Sequence, residues 1–196
     1  MKKLSTGMML LTFVLFVCIL AVFSTPPAYS APTSVVTPKW EIALPAGSCI
    51  DSGTHCHIGS PAIADMDNDG IDDIVVATNN GHILAIKCNG STGSVLWNTS
   101  IAPAFGVGSH EIASSPAVAD IDEDGRPEVV VGTGTIHGSR CTRGGIVALE
   151  HDGTVKAGRP VVADDFAVRP SGCPDTVYST PALADMDGDG DLEITA

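Results

Sequence analysis

One stretch of the sequence occurs three times. Residues 60–78 read SPAIADMDNDGIDDIVVAT, residues 115–133 read SPAVADIDEDGRPEVVVGT, and residues 180–196 read TPALADMDGDGDLEITA. Each copy is a short apolar run, then D-x-D-x-D-G-x-x-[DE], then a second apolar run. The leading aspartates are Asp65, Asp120 and Asp185, separated by 55 and then 65 residues. A period of this length implies one supersecondary unit per copy, each hiding its apolar face against its neighbours.

The units read as β-structure. In the first, residues 61–64 and 74–77 are predicted as strands on either side of the aspartate loop, and residues 74–77 (IVVA) are apolar throughout, as in a strand covered on both faces. Asn79-Asn80-Gly81 is a hairpin signal. Residues 82–87 (HILAIK) form a third strand, 89–93 a turn and 94–101 (SVLWNTSI) a fourth. Four consecutive antiparallel strands make one propeller blade. In the second unit the strands fall at 116–119, 129–132, 145–150 and 154–159, with Asp152-Gly153 as the last turn. Its two long connections are 133–144, carrying His137, Arg140, Cys141 and Arg143, and 164–176. They are either ligand-binding loops on a rigid scaffold or solvated insertions. The third copy stops two or three residues into its second strand, so the sequence reads as an N-terminal fragment with about two and a half blades.

The remainder is organised around these units. Residues 1–30 have the pattern of a signal peptide: Lys2 and Lys3, a sixteen-residue apolar stretch at 8–23, and Ala28-Tyr29-Ser30 before the expected new N-terminus at Ala31. The alternative, an uncleaved anchor, has fewer than the ~18–20 residues that span a bilayer. Residues 31–59 hold a linker, a predicted strand at 39–44 (KWEIAL) and a Cys49–Cys56 loop. Residues 60–196 hold the repeats. KWEIAL aligns with LWNTSI at 96–101, Trp40 over Trp97, which suggests an outer strand that closes the last blade of a ring. Export permits disulfides. Cys49–Cys56 is the natural short bridge, with His55 and His57 beside it, and Cys141–Cys173 a possible second. Cys88 is then either a buried thiol or the partner of a cysteine elsewhere in a longer protein.

Net charge is −13, with 10 basic and 23 acidic residues. The windows 65–73, 120–128 and 185–193 hold five carboxylates each and one base, Arg126, so the acidity belongs to the loops. It points to cations and away from nucleic acid, which would demand a basic stripe. Positions 1, 3 and 5 are Asp65, Asp67, Asp69; Asp120, Asp122, Asp124; and Asp185, Asp187, Asp189. Position 6 is Gly70, Gly125 or Gly190, permitting the reversal that returns position 9 (Asp73, Glu128, Glu193) to the same centre. Position 7 (Ile71, Arg126, Asp191) differs in every copy, as suits a residue offering only its carbonyl oxygen. At ~4 Å and an effective dielectric of ~20, each like-charge pair costs about 4 kcal/mol. A hard divalent cation removes that cost, and calcium suits an all-protein carboxylate cage better than magnesium. The expectation is one Ca²⁺ per loop. An EF-hand does not fit, since its twelfth-position glutamate would fall on Val76, Val131 and Ala196.

The pattern [ST]-P-A-φ-A-D-φ-D-x-D-G-x-x-[DE]-φ-x-[VAT]-[GA] over residues 60–196 resembles the FG-GAP/VCBS-type repeats of bacterial exported proteins, related to the propeller of integrin α subunits. The literal Phe-Gly and Gly-Ala-Pro of the integrin form are absent. The resemblance implies a β-propeller of about seven blades, with calcium in the loop joining each blade's first two strands.

Function is then expected to be that of an exported, secreted or cell-surface, calcium-binding scaffold for adhesion or for a protein or carbohydrate ligand. Membrane contact is expected only through the signal peptide. The alternative is a fragment of a polysaccharide-active enzyme, since rhamnogalacturonan-lyase-like propellers carry similar loops. Its only catalytic candidates are His110-Glu111 and the His137/Arg140/Arg143 loop, which read as surface loop residues. A quinoprotein propeller is disfavoured. TGSVLW at 92–97 resembles its docking motif, but Lys87 stands where an A-x-D is required.

Overall fold

The chain divides into Met1–Pro38 and Lys39–Ala196, and the computed structural model describes residues 39–44, 59–108, 110–135, 142–163 and 175–196, all in the second unit. The expected signal peptide, the expected linker, both expected disulfides, His55, His57, His137 and Arg140 lie outside the described residues.

The described residues are all-β apart from a short 3-10 turn at Ala102–Phe105. The first sheet is antiparallel in the order β1 (Ala62–Ala64), β2 (Asp73–Thr78), β3 (His82–Cys88), β4 (Gly93–Ser100). The second repeats it with β5 (Ala117–Ala119), β6 (Glu128–Thr135), β7 (Thr142–Leu149) and β8 (Val161–Val162). The third repeat supplies the pair β9 (Ala182–Ala184) and β10 (Glu193–Thr195). Register repeats as well: Ala62 faces Val75, Ala117 faces Val130 and Ala182 faces Thr195. These are propeller blades. Their first strands, β1, β5 and β9, are neighbours in turn.

A single core fills the space between the first two blades. Val75, Ala77, Ile83 and Ala85 meet Val129, Val131, Val147 and Leu149, with Met66, Ile101 and Ile112 sealing it. In β6, Val129, Val130 and Val131 are all buried, so both faces are covered. In β2 only one face is fully buried, because Ile74 and Val76 are half-exposed. A register slip between Ala85 and Ile86 leaves Leu96 of β4 without a partner, between Val95, which faces Ile86, and Trp97, which faces Ala85. Adjacent strand residues ordinarily face opposite ways; this bulge lets Leu96 and Trp97 both pack on the core.

Two joints link one blade to the next. Ser60 N–H donates to Ser115 Oγ (2.8 Å), and Ser115 N–H donates to Thr180 Oγ1 (3.3 Å). The hydroxyls that open the second and third S/T-P-A motifs thus receive the preceding repeat. On the outer side, the Trp97 ring covers Gly153, where an added Cβ would lie 2.7 Å from Cδ2, and Trp97 Nε1 donates to His151 O at 2.8 Å. Trp40 covers Gly93 in the same way, with 2.7 Å to Cζ3.

Residues 39–44 pair with no strand among the described residues, and Trp40 makes the contact that Trp97 makes. Two boundaries differ from expectation. The last strand of the second blade is Val161–Val162 rather than 154–159. Only Val155 bridges to Leu149, after which Arg159 N–H turns back on Lys156 O (3.1 Å) around Gly158, whose φ of +77° is left-handed. The 133–144 connection is also shorter than read: Thr133–Thr135 extends β6 and Thr142–Gly144 begins β7.

Candidate metal centre

Each aspartate loop joins the first two strands of its blade, and hydrogen bonds to backbone N–H groups fold it. Asp65 receives Asp69 N–H on Oδ1 (3.0 Å) and Gly70 N–H on Oδ2 (2.8 Å). Asp120 receives Asp124 and Gly125 likewise at 3.1 and 2.9 Å. Asp185 receives Gly188 and Gly190 at 2.7 and 3.1 Å. Position 5 braces the next corner: Asp69, Asp124 and Asp189 accept the N–H of Ile71, Arg126 and Asp191 at 2.9, 2.8 and 3.0 Å.

Left-handed backbone is needed twice per loop. Gly70, Gly125 and Gly190 have φ of +86°, +85° and +104°, as their position suggests. Position 4 is left-handed too, at Asn68 (+58°), Glu123 (+58°) and Gly188 (+82°). Asparagine and glycine tolerate this; for Glu123 it costs on the order of 1 kcal/mol. The sequence reading missed position 4.

Position 9 swings back from the start of the second strand. Asp73 is buried and accepts Met66 N–H (3.2 Å) and Cys88 N–H (3.1 Å). Glu128 is buried and accepts Ile121 N–H on Oε2 (2.9 Å), while Glu193 takes Met186 N–H at 2.7 Å. The result is three matching clusters: Asp65, Asp67 and Asp73; Asp120, Asp122 and Glu128; Asp185, Asp187 and Glu193. Within each, one carboxylate oxygen per residue lies within 4.8 Å of the others. Oxygens ligating one calcium at ~2.3–2.6 Å stand no farther apart than about 5 Å. The clusters therefore gather positions 1, 3 and 9, while position 5 stays engaged with the loop backbone.

Two atoms show where charge is missing. Glu128 Oε1 and Asp67 Oδ1 are buried and receive no hydrogen bond. A buried carboxylate oxygen without a partner is costly, and one cation at the centre of the first cluster and another at the centre of the second would satisfy them. Burial pushes the Glu128 and Asp73 carboxyls above their ordinary range. The positions nearer a lysine behave oppositely: the Lys87 ammonium holds Asp69 low and the Lys156 ammonium holds Asp122 low. The residues present fit a hard divalent ion.

Residues 65–131, from the leading aspartate of the first loop to the second strand of the second blade, match the family model of the FG-GAP-like repeat. That span is similar to an FG-GAP-like repeat. It holds the first two acidic clusters, and the third cluster gathers the same positions beyond it. A comparison with curated proteins found no match.

The alternative site residues fare differently. His110 is buried rather than on a surface loop, 2% exposed, tilted against Phe105 at a ring-centroid distance of 4.1 Å and 3.3 Å from Thr133 Oγ1. Burial lowers its pKa to about 4, so the imidazole is neutral at physiological pH. Neighbouring chain enforces this: an added Cβ on Gly81 would lie 2.4 Å from His110 O. Arg143 is exposed. Cys88 is a free, half-buried thiol.

Proposed function

We propose that each aspartate loop holds one Ca²⁺, and that the protein is an exported, calcium-stabilised β-propeller presenting a binding or adhesion surface to a protein or carbohydrate ligand. The observation that carries the calcium reading is the convergence of positions 1, 3 and 9 in all three loops around a centre that leaves the buried Glu128 Oε1 without a partner. Calcium is favoured over magnesium because the cage is built from protein carboxylates, and magnesium sheds its waters reluctantly. The ion's role is to hold the blade's inner turn closed, since the loops lie between the first two strands. Export rests on the signal-like residues 1–30, and scaffold function on the blades themselves.

Thermal unfolding in a calcium titration tests this reading. At tenfold excess over Kd each site adds roughly 1.4 kcal/mol, so the melting temperature should climb with calcium, climb much less with equimolar magnesium, and fall on chelation. A melting temperature indifferent to calcium and chelator defeats the calcium reading. New unsaturated ends on pectic polysaccharides incubated with the protein would replace the scaffold by the lyase.

A further inference from the structure

In both complete blades a lysine ammonium sits on the position-3 aspartate, and it arrives by two different routes. In the first, Lys87 at the end of β3 bridges Asp67 and Asp69, with 2.5 Å to Asp69 Oδ2. In the second, Lys156 contacts Asp122 Oδ2 at 2.5 Å and both oxygens of Glu150 at 3.2 Å. These lysines are not equivalent in the repeat. Ile86 pairs with Ile74 and Leu149 with Val129, so the place of Lys87 is taken in the second blade by Glu150. The substitution reverses the charge there, and Lys156, coming from beyond the following turn, restores it. Lys156 is the more enclosed of the two, its side chain 16% exposed against 29% for Lys87.

We propose that Lys87 and Lys156 are built-in counter-ions that share the position-3 aspartate with the bound divalent ion and so set its affinity. This rests on the calcium reading of the loops, for which the unpartnered Oε1 of the fully buried Glu128 is the independent sign. An ammonium on Asp67 or Asp122 neutralises part of the cluster while the loop is calcium-free, which keeps carboxylates from driving it apart. The same ammonium repels an arriving Ca²⁺ and must slide outward along the carboxylate. The lysines trade affinity for a loop that stays assembled without metal. The first two loops are thereby fitted to a medium rich in calcium.

The test is isothermal titration of the purified protein with calcium chloride, comparing the parent with Lys87→Met, Lys156→Met and the double variant. Methionine keeps the apolar stem and removes the charge. Each single variant should bind one calcium roughly tenfold tighter, as expected for removing a unit charge a few ångströms from the ion in a partly screened site. Each should also melt lower than the parent in chelator. Lys87→Arg and Lys156→Arg, which keep the charge, should bind calcium with parental affinity. Unchanged or weaker calcium binding in the methionine variants, with the parent binding normally, overturns the proposal. A parent that takes up no calcium overturns the calcium reading and this inference with it.

Discussion

Asp120→Ala is expected to destabilise the protein both with and without calcium, and to remove one calcium from its binding stoichiometry. Asp120 accepts two backbone N–H groups at 3.1 and 2.9 Å, which are what fold the loop back toward Glu128. Charge-assisted hydrogen bonds contribute about 1.5–3 kcal/mol each. Exposure of the loop and relief of repulsion with Asp122 and Glu128 reduce the sum, leaving a loss of about 2–3 kcal/mol in chelator. With calcium at tenfold excess the deficit grows by roughly another 1.4 kcal/mol. Urea denaturation in chelator and in calcium reads both quantities. A variant as stable as the parent in both media would mean that the loop is not organised by its first aspartate.

Glu128→Gln supplies the contrasting sign. The folded-state pKa of Glu128 is raised by burial, so the folded protein holds that proton more tightly than the unfolded chain. Its ionised form therefore costs stability, a cost that grows as pH rises from the unfolded value through the raised folded one. Glutamine keeps an acceptor for Ile121 N–H and carries no charge. In chelator at neutral pH it should match or exceed the parent, and in calcium it should fall below. Loss in one medium and none in the other separates a ligand from a structural strut.

Trp97→Ala carries the second large effect, and this one is independent of calcium. The ring seals Gly153 of the next blade, its Nε1 holds His151 O at 2.8 Å, and Thr99 Oγ1 holds Gly153 O at 2.7 Å beside it. Truncating a core tryptophan costs about 3–5 kcal/mol. Trp97 is half-buried, so a loss near 3 kcal/mol is expected, while Trp97→Phe should lose only about 1 kcal/mol with the missing hydrogen bond. Urea denaturation in saturating calcium measures it. A Trp97→Ala protein within about 0.5 kcal/mol of the parent would show that the blades are joined elsewhere.

The repeat was legible because its chemistry is periodic. Two apolar runs around D-x-D-x-D-G placed β1, β2 and β5 within a residue or two and located β6, β9 and β10, although β6 runs three residues farther; the loop spacing named positions 1, 3, 5, 7 and 9, of which the clusters gather 1, 3 and 9. What escaped was set by contacts between repeats. The Ser115 and Thr180 hydroxyls look like ordinary residues before proline until the preceding repeat's N–H is laid on them. Lys156 lies 34 residues from Asp122 and in no motif, so only the fold brings them together. His110 sits in a Gly/Ser-containing connection that reads as surface, and is buried because the chain from Gly81 and Phe105 closes over it. The end of the second blade was misplaced because one glycine turn at Gly158 outweighs the apolar content of TVKAGR.

Anomalous diffraction from crystals grown in calcium or terbium would reveal whether the three clusters hold cations. A strong peak is expected in each loop, about 2.3–2.6 Å from oxygens of the position-1, position-3 and position-9 carboxylates: Asp65, Asp67 and Asp73; Asp120, Asp122 and Glu128; Asp185, Asp187 and Glu193. Loops without anomalous density in crystals grown at millimolar calcium would contradict it.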